Sequence, residues 1–291
     1  MIYLNGEWMP IEKAMVPVLD RGFIFGDGVY EVIPCYSGQP FRLREHLARL
    51  QSSLAGVRIQ NPYSLERWDE LVREMVVKNP MDDQYVYLQV TRGVAPRDHA
   101  FPKDVKPTVF MMSNPLTTPP QNQRDQGVAA ITAADNRWLR CDIKSVSLLA
   151  NCLLRQAAVD GNAAEVVLLR DGMLTEGSAS NIFAVKGGVI ITPPKTNFIL
   201  PGITYDVVIE LARAHRLPLE IRQVREAEVR DADELWLTSS TKEVLSISTL
   251  DGKPVGHGAS AGRPGPVAAR MYQLYQDYKR TVMRAPDNVD A

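Results

Sequence analysis

The sequence predicts an α+β protein of two domains, and three observations lead there. Its 291 residues are too many for a minimal domain and enough to bury two cores. Strand-like runs come in clusters with only a few amphipathic helices among them, unlike the regular alternation of a parallel α/β sheet. The stretch Pro115-Leu-Thr-Thr-Pro-Pro-Gln-Asn-Gln breaks the pattern with the proline and polar density of a linker. The expected division is a small N-terminal α/β domain over 1–113, a linker over 114–124 and a larger C-terminal domain over 125–291.

Met1-Ile-Tyr-Leu-Asn-Gly-Glu reads as a first strand, with no basic-then-apolar signal segment. Leu43, Leu47, Leu50 and Leu54 recur three or four residues apart, as one face of a helix requires. A second helix carries Leu65, Trp68, Leu71, Val72, Met75 and Val76, with Ser64 as its cap and Asn79-Pro80 as its stop. Residues 84–92 and 107–112 read as strands joined by a long polar loop that holds Arg97, Asp98 and His99. The second half shows strands near 128–133, 164–170, 181–185, 188–192, 218–224 and 234–239. Helices are expected near 146–160, 203–215 and 266–281, a mobile loop over Gly256 to Pro266, and a frayed tail from Arg284.

Composition excludes several function classes. Apolar residues at 45% and charged residues at 23% are ordinary for a globular chain and argue against disorder. Lys and Arg number 33 against 34 Asp and Glu, so no broad field attracts nucleic acid or an anionic membrane, and any anion site must be local. No apolar run approaches the roughly 20 residues of a membrane-spanning helix. Cys35, Cys141 and Cys152 are odd in number and lack metal-ligand spacing, which speaks against a disulfide framework and a metal site and for a cytoplasmic location.

Four segments carry groups able to do chemistry. In Arg137-Trp-Leu-Arg-Cys-Asp-Ile-Lys144-Ser, Lys144 lies between Ile143 and the apolar Val146, Leu148 and Leu149. An amine deprived of water is more readily the neutral nucleophile that attacks an aldehyde. Alone, such a lysine is more often a surface residue lying along apolar neighbours. Leu174-Thr-Glu176-Gly-Ser178-Ala-Ser180-Asn181 sets a carboxylate in a turn between two strand-like runs, which is either an exposed hairpin glutamate or a partner for a protonated ring nitrogen. Leu200-Pro-Gly202-Ile203-Thr204 runs into an amphipathic helix, and free amides, a glycine and a hydroxyl there form either a phosphate cradle or simply a capped helix start. The run Thr238-Ser239-Ser240-Thr241 ends a strand and either adds hydroxyl donors or makes a polar turn.

Together, in this order, the four segments resemble the fold-type IV pyridoxal-phosphate enzymes, a two-domain architecture, over nearly the whole chain. The likeness takes in Asp20-Arg-Gly-Phe-Ile-Phe-Gly-Asp-Gly-Val-Tyr30-Glu and Glu45-His-Leu-Ala-Arg49-Leu. It implies pyridoxal 5'-phosphate as cofactor, Lys144 as its Schiff-base lysine and proton shuttle, and Glu176 as partner of the pyridine nitrogen. It further implies that Arg49, the amides of Ile203 and Thr204, the Thr204 hydroxyl, Ser239 and Ser240 hold phosphate, that Leu200 packs on the ring and that Arg137 approaches the ring hydroxyl.

Within the family, Arg97-Asp-His99 is similar to the Arg-x-His substrate loop of D-amino-acid transaminases, and Tyr30 matches the tyrosine that works with it. An arginine fork holding a carboxylate in two parallel hydrogen bonds, completed by His99 and Tyr30, suits that role. The resemblance implies transfer of an amino group from a D-amino acid to a 2-oxo acid, and a homodimer whose loops serve neighbouring sites. Branched-chain L-amino-acid aminotransferase and aminodeoxychorismate lyase are the alternatives within the family, and a cofactor-less binding protein the one outside it. Ala179 departs from the serine usual after Glu176 and implies altered phosphate or ring contacts there.

Overall fold

The computed structural model describes residues 1–285. It divides the chain into two compact units, one of Met1–Thr117 with Ile143–Leu148 and the chain from Arg280, the other of Thr118–Asp142 with Leu149–Lys279.

The first unit contains β1 (Ile2–Leu4), β2 (Glu7–Met9), α1 (Arg21–Phe25), β3 (Gly28–Tyr36), β4 (Gln39–Pro40), α2 (Leu43–Gly56), α3 (Leu65–Lys78), β5 (Asp83–Thr91) and β6 (Thr108–Pro115). Its six strands form an antiparallel sheet in the order β2-β1-β6-β5-β3-β4. Period-two alternation puts Val29, Ile33 and Cys35 of β3 on the core face with Val86, Leu88 and Val90 of β5. Leu43, Leu47, Leu50 and Leu54 of α2 and Trp68, Leu71, Val72 and Met75 of α3 are buried in the same core. The Ser64 hydroxyl accepts from the Arg67 amide at 3.2 Å and caps α3, as expected. Gly22 is required by close approach, because a Cβ there would overlap a methyl carbon of Thr91. The tail expected to fray from Arg284 is held at its start, where Arg284 donates to Asp83 at 2.6 Å and Ser37 at 2.8 Å. Its remainder beyond residue 285 lies outside the described residues.

One position on the core face of β3 is not apolar. Glu31 is fully buried, and Arg49 of α2 forks it through Nε and Nη2, both at 2.8 Å. His46, one turn earlier on α2, adds its Nδ1 at 2.8 Å. Burial alone pushes the Glu31 carboxyl up, but Arg49 and His46 outweigh it and hold it well below the usual carboxylate range. Burial lowers the His46 pKa as well, with the Arg49 and Lys144 charges adding to the effect. His46 is thus a neutral ring that donates through Nδ1.

The segment 143–148 is extended along β3, and for that reason α5 starts at Leu149, three residues after the expected start. Tyr30 donates its amide to the Lys144 carbonyl at 3.0 Å, and Val146 donates to the Gly28 carbonyl at 3.0 Å. The Lys144 amide donates to the Ser53 hydroxyl of α2 at 3.1 Å.

The second unit contains α4 (Gln121–Gln126), β7 (Val128–Ala134), α5 (Leu149–Asp160), β8 (Glu165–Arg170), β9 (Met173–Gly177), β10 (Asn181–Lys186), β11 (Val189–Thr192), α6 (Ile203–Ala214), β12 (Leu219–Ile221), α7 (Glu226–Arg230), β13 (Glu234–Ser239), β14 (Glu243–Leu250), β15 (Lys253–Pro254) and α8 (Pro266–Tyr278). The sheet order is β12-β11-β10-β13-β14-β7-β8-β9, with β15 on β14. The β7 strand runs parallel to both β14 and β8. Phe183 of β10 stacks on Trp236 of β13 at 4.5 Å and meets Tyr205 at 5.3 Å, which ties α6 to the sheet.

Two strands differ from the sequence reading. Glu176 lies in β9, paired with β8 through Leu169 and Leu174, and not in a hairpin turn. The β14 strand is added: it sits between β13 and β7 with Val244, Leu245 and Ile247 all buried, so it lacks the clean alternation that marks a half-exposed strand. Among the described residues no helix is long and apolar enough to cross a membrane.

Replacing Glu31 by Gln takes from the buried Arg49 charge the carboxylate that it forks, which should cost about 3–5 kcal/mol. Thermal melts should show the unfolding midpoint lowered by roughly 10 °C. Because the folded carboxyl is held below its ordinary 4.5, its contribution is full above that pH and is lost as pH falls. The variant should therefore lose less stability than the wild type on acidification from about pH 5 to pH 3; a parallel decline in both proteins would contradict this account.

Candidate functional site

Each unit carries its own group of candidate residues. In the first, Tyr30 alternates with Glu31 and therefore leaves β3 on the face opposite the core. The Lys144 ammonium lies 4.1 Å from the centre of the Tyr30 ring, and that ring stacks on Tyr87 at 5.7 Å. Arg49 is on α2 with its Nε and Nη2 on Glu31, so its guanidinium is fixed in position by a carboxylate one residue from Tyr30. Arg97 and His99, both exposed, come together around Phe25: the Arg97 carbon Cζ is 5.3 Å and the His99 ring 5.4 Å from the Phe25 ring centre.

In the second unit, the buried Glu176 carboxylate accepts from Arg137 Nη1 at 2.6 Å, from Asn181 Nδ2 at 3.2 Å and from the Leu200 amide at 3.2 and 3.1 Å. Asp135 grips Arg137 through Nε and Nη2, both at 2.9 Å, so Arg137 stands in a fixed plane between two carboxylates. Burial pushes the Glu176 carboxyl up to about 7, against the downward pull of Arg137 and of the Leu200 amide. A cation arriving there, such as a protonated ring nitrogen, favours the ionised form. Asn181 also donates to the Leu200 carbonyl at 3.1 Å, and a Cβ at Gly202 would overlap its Oδ1, so glycine is what lets this side chain pass.

Gly202 begins α6 in extended backbone with no side-chain cap, leaving the first-turn amides of Ile203 and Thr204 to an anion. Asn181 is directly opposite Thr238 across β10 and β13, which brings the Ser239-Ser240 end of β13 to the same end of the sheet. The Ser239 hydroxyl accepts from the Lys242 amide at 3.0 Å. Thr238 Oγ1 is buried without a hydrogen-bond partner among the described residues. Uncapped amides, neighbouring hydroxyls and an orphaned buried hydroxyl are the donor set a phosphate needs, and Glu176 is the acceptor a pyridinium needs, so this unit's residues fit pyridoxal phosphate.

The second unit thus brings together Glu176, Arg137 and Leu200, followed directly by Ile203 and Thr204. The first unit joins Lys144 to Tyr30 and Arg97 to His99. Residues without an expected role turn out to orient these groups: Glu31 and His46 behind Arg49, and Asp135 and Asn181 around Glu176. Glu165 belongs with them, since it accepts from the Ser178 amide at 3.0 Å and the Ser180 hydroxyl at 2.8 Å and so sets the turn after Glu176. Glu31 had a signal in the sequence, as a charge at a core-face position in Val29-x-Glu31-x-Ile33-x-Cys35.

Residues 28–250 match the amino-transferase class IV family. The D-alanine aminotransferase of Bacillus licheniformis is 42% identical over 276 residues, 95% of this chain and 96% of that protein. The D-alanine aminotransferase of Staphylococcus aureus strain MSSA476 is 38% identical over 278 residues, 95% of this chain and 97% of that one. Among solved structures, the branched-chain amino acid aminotransferase of Escherichia coli superposes with a TM-score of 0.86 at 28% identity, covering 98% of this chain and 95% of that chain. The branched-chain amino acid aminotransferase of T.th., solved with pyridoxamine 5'-phosphate, gives 0.88 at 27% identity, covering 99% and 95%. The α+β architecture expected from the sequence is thus that of the fold-type IV enzymes. With the family's signature running from β3 through β14, the chain belongs to the class IV aminotransferases.

Proposed function

We propose that this protein transfers the amino group of a D-amino acid to a 2-oxo acid, using pyridoxal 5'-phosphate bound covalently through Lys144, and that it works as a homodimer. The observation that carries the D reading is the Arg97–His99 pair gathered on Phe25, in a chain 42% identical to a D-alanine aminotransferase. The branched-chain relatives are structural neighbours at lower identity, which makes an L-amino acid the second reading.

When bound, pyridoxal phosphate supplies a ring that accepts the electron pair released at the substrate α carbon. Glu176 holds the ring nitrogen protonated by accepting its hydrogen, while Arg137 and Asn181 keep the carboxylate aimed. Arg49, the amides of Ile203 and Thr204, the Thr204 hydroxyl, Ser239 and Ser240 bind phosphate, and Leu200 packs against the ring. Lys144 Nζ takes the α proton as general base and returns it as general acid. The Tyr30 phenol, Arg97 and His99 hold the substrate carboxylate. With carboxylate and amino group both fixed, only one configuration turns its α hydrogen toward Lys144.

Three outcomes test this. Lys144→Ala should lose the visible cofactor band and turnover, and borohydride treatment followed by mass mapping should fix no cofactor elsewhere; a label on another lysine would remove the assignment. Glu176→Gln should lower kcat more than it raises the cofactor Kd, since the phosphate donors are untouched; lost activity fully restored by excess cofactor would contradict the electronic role. Arg97→Ala should lower kcat/KM for D-alanine with 2-oxoglutarate by roughly 30-fold to a few thousandfold, from about 2–5 kcal/mol of lost charge pairing. L-Leucine outpacing D-alanine in the wild type would refute the D reading.

A further inference from the structure

Arg21 is only 3% exposed, yet its guanidinium is spent on a loop segment, Arg97 to Phe101, whose residues are all exposed. Its Nη1 donates to the carbonyl oxygens of Asp98 and of Ala100, the latter at 3.4 Å, so it grips the backbone on both sides of His99. Its Nε is held by Asp27 at 2.8 Å. Phe25, one turn on along α1, lies 4.7 Å from the Arg21 Cζ and carries the Arg97 guanidinium and the His99 ring on its other contacts. Asp27 also binds Arg92 at 2.7 and 3.0 Å. Arg92 in turn donates to the Val57 and Arg58 carbonyls and lies 3.7 Å from the Phe101 ring, at the far end of the same loop.

The loop's aim is therefore not its own. Five exposed residues, Arg97 to Phe101, have no core to order them, and an exposed loop of this kind would sample many conformations unless its backbone were tied down. Here two arginines, anchored by one carboxylate, hold it: Arg21 by the Asp98 and Ala100 carbonyls, and Arg92 by the Phe101 ring. We propose that Arg21, with Asp27 behind it and Phe25 beside it, is the positioning residue that orients Arg97 and His99 for the substrate carboxylate, so that it governs substrate affinity without touching substrate. The inference rests on the reading of Arg97 and His99 as the carboxylate trap. A lysine cannot substitute: its ammonium keeps the charge but not the planar fork that meets Asp27 and two carbonyls together.

The test uses the holoenzyme carrying Arg21→Lys, with Phe25→Leu as a second variant that keeps every hydrogen bond of Arg21, and Arg97→Ala as reference. Two quantities are read: amide hydrogen exchange of the peptide spanning Gly93–Lys106, and KM and kcat for D-alanine. Arg21→Lys should speed exchange over Asp98–Phe101 by roughly tenfold and raise KM by a similar factor, with kcat within about threefold, as lost uniform binding predicts. Phe25→Leu should move KM in the same direction, and it carries the test should Arg21→Lys fail to fold. Unchanged loop exchange in a folded Arg21→Lys protein would overturn the proposal. So would faster exchange with an unchanged KM while Arg97→Ala raises it. If Arg97→Ala itself leaves KM unchanged, the carboxylate-trap reading fails and the proposal falls with it, a result distinct from the other two.

Discussion

The first unit depends on the carboxylate of Glu31, buried on the core face of β3. Stripping a carboxylate of water costs several kcal/mol, and only close, complete pairing recovers it. Arg49 and His46 provide that pairing from successive turns of α2, which fixes how α2 lies across the sheet. The same strand edge then pairs with the extended segment around Lys144, and the Ser53 hydroxyl of α2 holds the Lys144 amide. A charge that would otherwise destabilise the core thus links the helix bearing Arg49 to the strand bearing Tyr30.

The second unit repeats the device with a different result. Glu176 is also a buried carboxylate with an arginine, but Arg137 divides its donors between Glu176 and Asp135, and burial then wins over attraction. Glu31, which has a neutral His46 beside it in place of a second anion, is held firmly ionised. The two buried carboxylates differ here by what else surrounds the arginine. A carboxyl raised to about 7 responds to an incoming cation by ionising, which is the behaviour the proposed role of Glu176 requires. Glu165 is a further buried carboxylate, spent on the Ser178 amide and hydroxyl and on Ser180 to shape the turn that follows Glu176.

The loop carrying Arg97 and His99 follows a third pattern, in which exposed side chains take their direction from buried ones. Arg97 and His99 are exposed, and what holds their loop lies beneath it, in Arg21, Arg92 and the shared Asp27. Orientation in this unit therefore travels from a carboxylate to an arginine to a loop, just as it travels from Glu31 to Arg49 and, in the other unit, from Asp135 to Arg137 to Glu176.

The sequence by itself determined the elements whose signals are local. The leucine spacing of α2, the Ser64 cap of α3 and the apolar runs of β5, β7, β8 and β13 follow from periodicity and capping, which neighbours along the chain set. Motif order likewise revealed the family. Only the tertiary structure decided what depends on residues distant in sequence. Glu176 became a strand residue because β8 pairs with it, β14 was hidden because both its faces are buried, and 146–148 left the helix because β3 takes its backbone bonds. The partners of the charged groups belong to the same class. Glu31 with Arg49, Arg137 with Glu176 and Arg21 with the Asp98 carbonyl lie 18, 39 and 77 residues apart, and a polar contact across such a distance leaves no periodic trace in the chain.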